Sequence, residues 1–138
     1  MPKYISEFDG LSDAQLMNYF VDKKPWGMEL LINLYGCDVP LLSDKEYIRQ
    51  FIIDLCDFIK MKRYGEPVIE RFGEGHLFGI SAMQLIMTSS IIMHCAENTG
   101  DIYIDIFSCR EFPPKATVEF CIEYFKATTV KYGTVFRE

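Results

Sequence analysis

The sequence predicts an α+β fold, a two-layer α/β sandwich in which helices pack on one face of an antiparallel sheet. Three observations support this prediction. Apolar and polar residues alternate along several short segments, two other segments repeat apolar residues at helical spacing, and the elements follow one another as β-α-β-β-β-β-α-β. At 138 residues the chain has the size of one domain with a single core.

Period-two alternation predicts the strands. Residues 28–35 are predicted to form the first strand, one face of which is wholly apolar and consists of Met28, Leu30, Ile32 and Leu34. Residues 36–40 are expected to turn the chain. Further strands are expected at about 67–72, 78–87, 89–95, 102–107 and 129–136, with a hairpin turn at Asn98-Thr99-Gly100-Asp101.

Capping signals predict the helices. Ser43-Asp44-Lys45-Glu46 reads as a capping box for a helix that runs to Met61, and Pro113-Pro114 opens the last helix. Ser12-Asp13-Ala14-Gln15 is a further capping box, which predicts a short helix to about Val21. We therefore expect residues 1–26 to be an N-terminal appendage with a short helix and residues 27–138 to be the main domain.

Composition excludes several classes of partner. Fourteen basic and twenty acidic residues give a net charge of −6, and without a long Lys/Arg cluster no nucleic-acid partner is expected. Apolar runs are too short to span a bilayer and the N-terminus lacks a signal-peptide apolar block, which predicts a cytoplasmic protein with no membrane partner. The five cysteines form no C-x-x-C pair, and no metal site is predicted.

Ser89 is the candidate nucleophile. Its hydroxyl can attack the carbonyl of Thr88 and convert that amide into an ester, which eliminates when a base removes the α-proton of the serine. Hydrolysis of the resulting dehydroalanine leaves a pyruvoyl group at the new N-terminus. Such a carbonyl forms a Schiff base with a substrate amine and takes up electrons when CO2 leaves.

Three other side chains can serve this chemistry. His94 is the candidate base, although its odd offset from Ser89 puts it on the opposite face of an unbroken strand, so that a bend or a cut is required. Ser81 can donate a hydroxyl hydrogen bond, and Cys109 can donate a proton. Taken by themselves, such residues are more often ordinary positions in a sheet than a catalytic group.

Several motifs lie around Ser89, and those from Gly79 onward stand at fixed offsets from it. They are Gly27, Gly36-Cys37-Asp38, Arg71-Phe72, Gly79-Ile80-Ser81, His94 and Asp105-Ile106-Phe107-Ser108-Cys109. Over about residues 27–137 the chain resembles the small prokaryotic S-adenosylmethionine decarboxylases, pyruvoyl-dependent enzymes that supply decarboxylated S-adenosylmethionine for spermidine synthesis. The resemblance implies an α/β sandwich that forms a homodimer with active sites near the interface.

The resemblance also implies residue roles. The chain would cleave itself between Thr88 and Ser89, and Ser89 would become the pyruvoyl cofactor. His94 would be the base for the elimination, Ser81 would assist processing, and Cys109 would be the catalytic proton donor. Phe72 would stack on the adenine of S-adenosylmethionine.

Four positions depart from the family pattern, and the spacer between Arg71-Phe72 and Gly79 is about three residues longer than in the family. Arg110 stands where the family has Gly after its cysteine. Thr88 stands where the family usually has Glu, which leaves open a non-processing homologue that acts as a regulatory or binding partner. Glu29 replaces a histidine and Asn33 replaces an acidic residue. These two residues are expected to contact the substrate, and they leave open a relative that decarboxylates another amino acid such as arginine or ornithine.

Overall fold

The computed structural model describes residues 10–138, so residues 1–9 of the predicted appendage lie outside the described residues. Four helices are present in this range: α1 (Asp13–Lys23), α2 (Val39–Leu42), α3 (Lys45–Phe58) and α4 (Pro114–Phe125). The strands are β1 (Gly27–Tyr35), β2 (Val68–Phe72), β3 (Gly79–Ile86), β4 (Ser89–Ala96), β5 (Asp101–Ser108) and β6 (Thr129–Arg137). A single 3-10 turn spans Gly75–Leu77.

The strands form one antiparallel sheet in the order β2-β3-β4-β5-β1-β6. Strands β2 to β5 follow one another as a meander, and β1 lies between β5 and β6. The predicted α+β sandwich is confirmed, and so is each of the predicted strands.

The two faces of the sheet differ in burial. One face is packed against the helices, and its side chains form a core with Phe51, Leu55 and Phe125 of α3 and α4. We call the other the open face, because its side chains are exposed or half-buried. Its central part consists of Ser81, Met83 and Leu85 of β3, Ser90, Ile92 and His94 of β4, and Tyr103, Asp105 and Phe107 of β5.

The start of α3 differs from the prediction by one residue. Asp44, not Ser43, is the N-cap, and its carboxylate accepts hydrogen bonds from the backbone N–H groups of Glu46 and Tyr47 at 2.9 and 3.3 Å. The hydroxyl of Ser43 instead donates to the Val39 carbonyl at 2.8 Å. The reason is that the one-turn helix α2 follows the turn expected at residues 36–40, and Ser43 is the C-cap of this helix.

Helix α1 packs against the main domain. The predicted capping box at Ser12 is present, and the helix buries Leu16 and Phe20. The carboxylate of Asp13 accepts hydrogen bonds from the N–H groups of Lys115 and Ala116, at 2.7 and 3.0 Å, at the N-terminus of α4. Such a contact stabilises a helix N-terminus, where N–H groups lack partners. No helix within residues 10–138 is long and apolar enough to cross a bilayer.

Candidate functional site

The connection between β3 and β4 is a two-residue turn formed by Met87 and Thr88, with Ile86 opposite Ser89. Thr88 has a φ of 57°, in the left-handed region. This conformation is rare for a β-branched residue and costs about 1–2 kcal/mol for an L-residue. The peptide bond that the sequence analysis selected for cleavage therefore follows a strained residue.

Three predicted site residues meet at this turn, and we call Thr88, Ser89 and Cys109 the turn cluster. Cys109 follows the end of β5, which pairs with β4 and so brings the thiol beside the turn. Its Sγ lies 2.7 Å from the Thr88 hydroxyl. The backbone N–H of Cys109 donates to Ser89 Oγ at 3.0 Å, and Ser89 Oγ donates to the Met87 carbonyl at 3.4 Å.

Cys109 is chemically distinct from the other cysteines. Burial raises the pKa of its thiol, but hydrogen bonds with Thr88, Ser89 and its own backbone N–H, together with the Arg110 charge, outweigh burial and lower the pKa. The other four cysteines are buried. Burial raises the pKa of Cys37 and Cys56 to about 11 and that of Cys95 to about 12. Cys109 is therefore the thiol best placed to ionise.

Ser81 and His94 form a second group, which we call the Ser–His pair. They lie directly opposite each other in the β3–β4 ladder, with Ser81 Oγ 2.7 Å from His94 Nδ1. Both side chains are on the open face, where they line a shallow pocket of about 230 Å³. Phe72, the residue predicted to stack on adenine, lies on the neighbouring strand β2 in the wall of the same pocket.

The turn cluster and the Ser–His pair are separate within one chain. Strand β4 runs unbroken from Ser89 to Ala96, without the bend that the prediction required between Ser89 and His94. The Ser89 side chain is therefore buried on the helix-packed face and His94 is exposed on the open face. Five residues of strand correspond to about 16 Å, too far for His94 to touch Ser89.

An apolar pocket of about 520 Å³, the turn pocket, opens beside the turn cluster. Its lining includes Tyr64, Leu85, Thr88, Ser90 and Phe107. Trp26 stacks on Phe107 with a ring-centroid distance of 5.7 Å and keeps 66% of its surface exposed. Neither aromatic residue is among the site residues predicted from the sequence. Two sequence signals were available: Trp26 is the only tryptophan, and Phe107 lies inside the cysteine motif.

The predicted substrate contacts Glu29 and Asn33 lie on β1, on the open-face side. Glu29 is opposite Phe107 in the β1–β5 ladder. Its carboxylate forms an ion pair with Arg137, with 3.2 Å between Oε2 and Nη1. Asn33 is opposite Tyr103 and donates a hydrogen bond to the Tyr35 hydroxyl at 3.0 Å. Glu29 thus lies on the turn-pocket side of the sheet, and Asn33 lies in the cross-strand row of the Ser–His pair. Residues 10–138 contain no group of three potential metal ligands.

This arrangement defines a class of protein: an α/β sandwich with a hydroxyl–thiol cluster at a strained hairpin turn. A solved structure with the same fold is the adenosylmethionine decarboxylase from Aquifex aeolicus, which covers 82% of this chain and 91% of its own, at a TM-score of 0.70 and 19% identity. The family model described as S-adenosylmethionine decarboxylase matches residues 28–138.

Curated relatives agree with the family model. The S-adenosylmethionine decarboxylase proenzyme of Clostridium botulinum is 32% identical over 108 residues, which are 76% of this chain and 90% of that protein. The S-adenosylmethionine decarboxylase proenzyme of Thermodesulfovibrio yellowstonii is 29% identical over 102 residues, 72% of each chain. The chain belongs to the S-adenosylmethionine decarboxylase family.

Proposed function

We propose that this chain is a cytoplasmic, self-processing, pyruvoyl-dependent decarboxylase. It cleaves between Thr88 and Ser89 and removes the carboxyl group of S-adenosylmethionine for spermidine synthesis. The observation that carries the proposal is the turn cluster, in which a serine hydroxyl, a thiol of lowered pKa and a strained peptide lie within hydrogen-bonding distance of one another.

The first step of processing uses groups that the turn cluster supplies, and the base of the second step is His94. Ser89 Oγ forms a bond to the Thr88 carbonyl carbon, the C–N bond breaks, and the serine nitrogen keeps its proton and gains the hydroxyl proton. A base then removes the Ser89 α-proton, and Thr88 leaves as a carboxylate. Water adds to the remaining dehydroalanine, and ammonia departs.

Strain at Thr88 favours the first of these steps. The left-handed φ of this β-branched residue is relieved when the peptide breaks. A strain of about 1.4 kcal/mol released on the way to the transition state corresponds to a tenfold faster reaction. We therefore expect Thr88 to permit processing, although the family usually has Glu at this position.

The residues at the turn fit a pyruvoyl group at position 89. Ser89 begins a strand, so a new N-terminus there stays anchored by the β4 ladder, and the turn pocket beside it leaves space for a substrate. The pyruvoyl group supplies the electron sink for decarboxylation. Cys109 Sγ, beside that position, holds the proton that the product carbon requires.

A second copy of this chain would complete the site. The open face has exposed apolar side chains at Met83 and Leu85 and a half-buried one at Ile92. Two such faces can pack as aligned sheets about 10 Å apart. If a two-fold axis crosses the strands at Ile92, His94 of one copy lies over Ser90 of the other, next to Ser89. The Ser–His pair of one protomer then serves the turn cluster of the other.

Cleavage is tested on a denaturing gel. Purified folded protein should give two fragments, residues 1–88 and residues 89–138, and mass spectrometry should find a ketone in place of the serine at the second N-terminus. Ser89→Ala should remain one band. Ser43→Ala is the control and should still cleave, because its hydroxyl donates to the Val39 carbonyl and takes no part in the turn cluster. A folded wild type that stays intact would instead support the non-processing, partner-binding alternative that Thr88 leaves open.

The substrate is tested by trapping CO2 from carboxyl-labelled S-adenosylmethionine, arginine and ornithine. We expect release from S-adenosylmethionine alone, because the turn pocket is apolar and its lining includes the ring of Phe107, which suits a planar base. Binding can be followed separately by the fluorescence of Trp26, the only tryptophan. Release from arginine or ornithine would reassign the substrate while leaving the processing reaction intact.

A further inference from the structure

We propose that Thr88 is a positioning residue for Cys109: its hydroxyl stabilises the Cys109 sulfur as a thiolate in the uncleaved chain, and cleavage after Thr88 returns a proton to that sulfur. The second half of this statement rests on the proposed self-processing. Together the two halves assign Thr88, which departs from the family pattern, a function in preparing the catalytic acid.

The hydrogen bonds around Thr88 suit two protonation states of the thiol. Thr88 Oγ1 lies 2.7 Å from Cys109 Sγ and 2.7 Å from the Met87 carbonyl oxygen, but a hydroxyl has a single proton to donate. When the sulfur is a thiolate, the hydroxyl donates to it. When the sulfur is protonated, the hydroxyl donates to Met87 and the S–H donates to Thr88 Oγ1. Neither state leaves a donor without an acceptor.

The charges around Cys109 favour the anion before cleavage. Arg110 follows it directly, and this cation lowers the pKa of the thiol. The segment packed against the turn carries Lys62, Arg63 and Tyr64, and contacts it through hydrogen bonds from the Tyr64 N–H to the Leu85 carbonyl and from the Met87 N–H to the Lys62 carbonyl. No carboxylate is among the groups that act on the Cys109 pKa.

Cleavage reverses two of these influences. Thr88 acquires a terminal carboxylate, and a negative charge close to a thiol disfavours its ionisation. Ser89 loses the hydroxyl that lowers the pKa of the thiol. Both changes raise the pKa, so Cys109 takes up one proton from solvent and enters the decarboxylation cycle as an acid. Self-cleavage, which creates the pyruvoyl group, thus also leads to protonation of Cys109, the acid that donates a proton to the product in each turnover.

The first half is tested by measuring how the rate of iodoacetamide alkylation of Cys109 depends on pH. The uncleaved Ser89→Ala chain is the parent, and mass spectrometry of the Cys109 peptide identifies the label, since the other four cysteines are buried. In this background Thr88→Val should move the inflection of the curve of alkylation rate against pH upward by about one pH unit, which corresponds to a tenfold change in the ionisation constant of the thiol. Thr88→Ser should keep the parental inflection, because it retains the hydroxyl. Equal inflections for the valine and serine variants would overturn this half.

The second half compares the cleaved wild type with the uncleaved Ser89→Ala parent, and because both lack the Ser89 hydroxyl, the comparison isolates the new carboxylate of Thr88. The inflection should lie at higher pH in the cleaved protein. An equal or lower inflection would overturn the proposed change of protonation while leaving self-processing standing. A wild type that never cleaves would overturn both self-processing and this second half, and the Thr88 comparison would still decide the first half.

Discussion

Gly79 determines how closely the start of β3 can approach the end of β4. A Cβ atom at this position would lie 1.9 Å from the Cys95 carbonyl oxygen, which is a backbone atom that cannot move aside cheaply. Two residues later on the same strand, Ser81 meets His94 across the ladder. The absence of a side chain at Gly79 therefore lets these two strands pair closely enough for the Ser–His hydrogen bond.

Gly79→Ala should destabilise the protein by about 1–3 kcal/mol, the cost of inserting a methyl group into a packed site. Urea unfolding of the uncleaved Ser89→Ala chain measures this effect without a second fragment. The matched control is Gly133→Ala, also in a strand, where a Cβ meets nothing within 4 Å and little change is expected. Equal stabilities for the two variants would contradict the explanation that a Cβ atom at position 79 clashes with the Cys95 carbonyl oxygen.

At the residue scale the sequence predicted which strands bring Ser89 and Cys109 close to each other, but not the contacts around them. Ser89 and Cys109 were expected on neighbouring strands, and the structure brings them together. The Thr88–Cys109 contact was not predictable, because it depends on the left-handed turn geometry of Thr88. Trp26 was missed because its stacking partner Phe107 is distant in sequence and adjacent only through the β1–β5 pairing.

The edge strand β2 is joined to the end of β4 by a bidentate ion pair. Arg71 Nε and Nη2 each lie 2.7 Å from a carboxylate oxygen of Glu97. These hydrogen bonds lower the pKa of Glu97, with burial acting in the opposite direction. Because β2 also carries Phe72, this pair restrains the strand that forms one wall of the Ser–His pocket.

The ion pair predicts a pH-dependent stability. A carboxylate whose pKa is lowered on folding contributes stability that is present above its unfolded pKa and is lost as the pH falls through its folded pKa. The melting temperature of the wild type should therefore exceed that of Glu97→Gln at neutral pH, and the difference should disappear below the lowered pKa of Glu97. Glu119→Gln, on the exposed side of α4, is the control and should show no such convergence. A gap that persists in acid would contradict the ion-pair explanation.

At the element scale, alternation and capping signals predicted each strand and the three longer helices, because these signals are local. The errors occurred where neighbouring elements compete for one residue. Ser43 fits an N-cap in sequence, yet the short helix α2 uses its hydroxyl and leaves the cap to Asp44. The unbroken course of β4 past His94 likewise follows from pairing on both sides, with β3 and β5.

For the whole molecule, the separation of His94 from Ser89 leads to a complementation prediction. Neither Ser89→Ala nor His94→Ala should cleave alone. Co-expressed with different tags, the two variants should form mixed dimers in which the proposed packing would bring the intact Ser89 of one copy to the intact His94 of the other. We expect the His94→Ala chain to be cleaved in this mixture.

Two controls accompany this prediction. A chain with both substitutions, co-expressed with Ser89→Ala, should remain intact, because that mixture contains no Ser89. Ile92→Glu, at the centre of the open face, should shift the protein to monomer in size-exclusion chromatography with light scattering. If the His94→Ala chain stays uncleaved in a mixture proven to contain mixed dimers, the shared-site arrangement is wrong.

The strand order has a consequence for the life of the protein after cleavage. A cut in the β3–β4 turn leaves β1 to β3 on one fragment and β4 to β6 on the other, yet β1 lies between β5 and β6. The two polypeptides are therefore interlaced through three hydrogen-bonded ladders and cannot part while the sheet persists. Once melted, they must find each other by diffusion and thread one strand between two. The sheet of the cleaved protein thus forms while the chain is still continuous, and the separated fragments cannot repeat that folding reaction. The lifetime of the cleaved protein is therefore set by its unfolding rate.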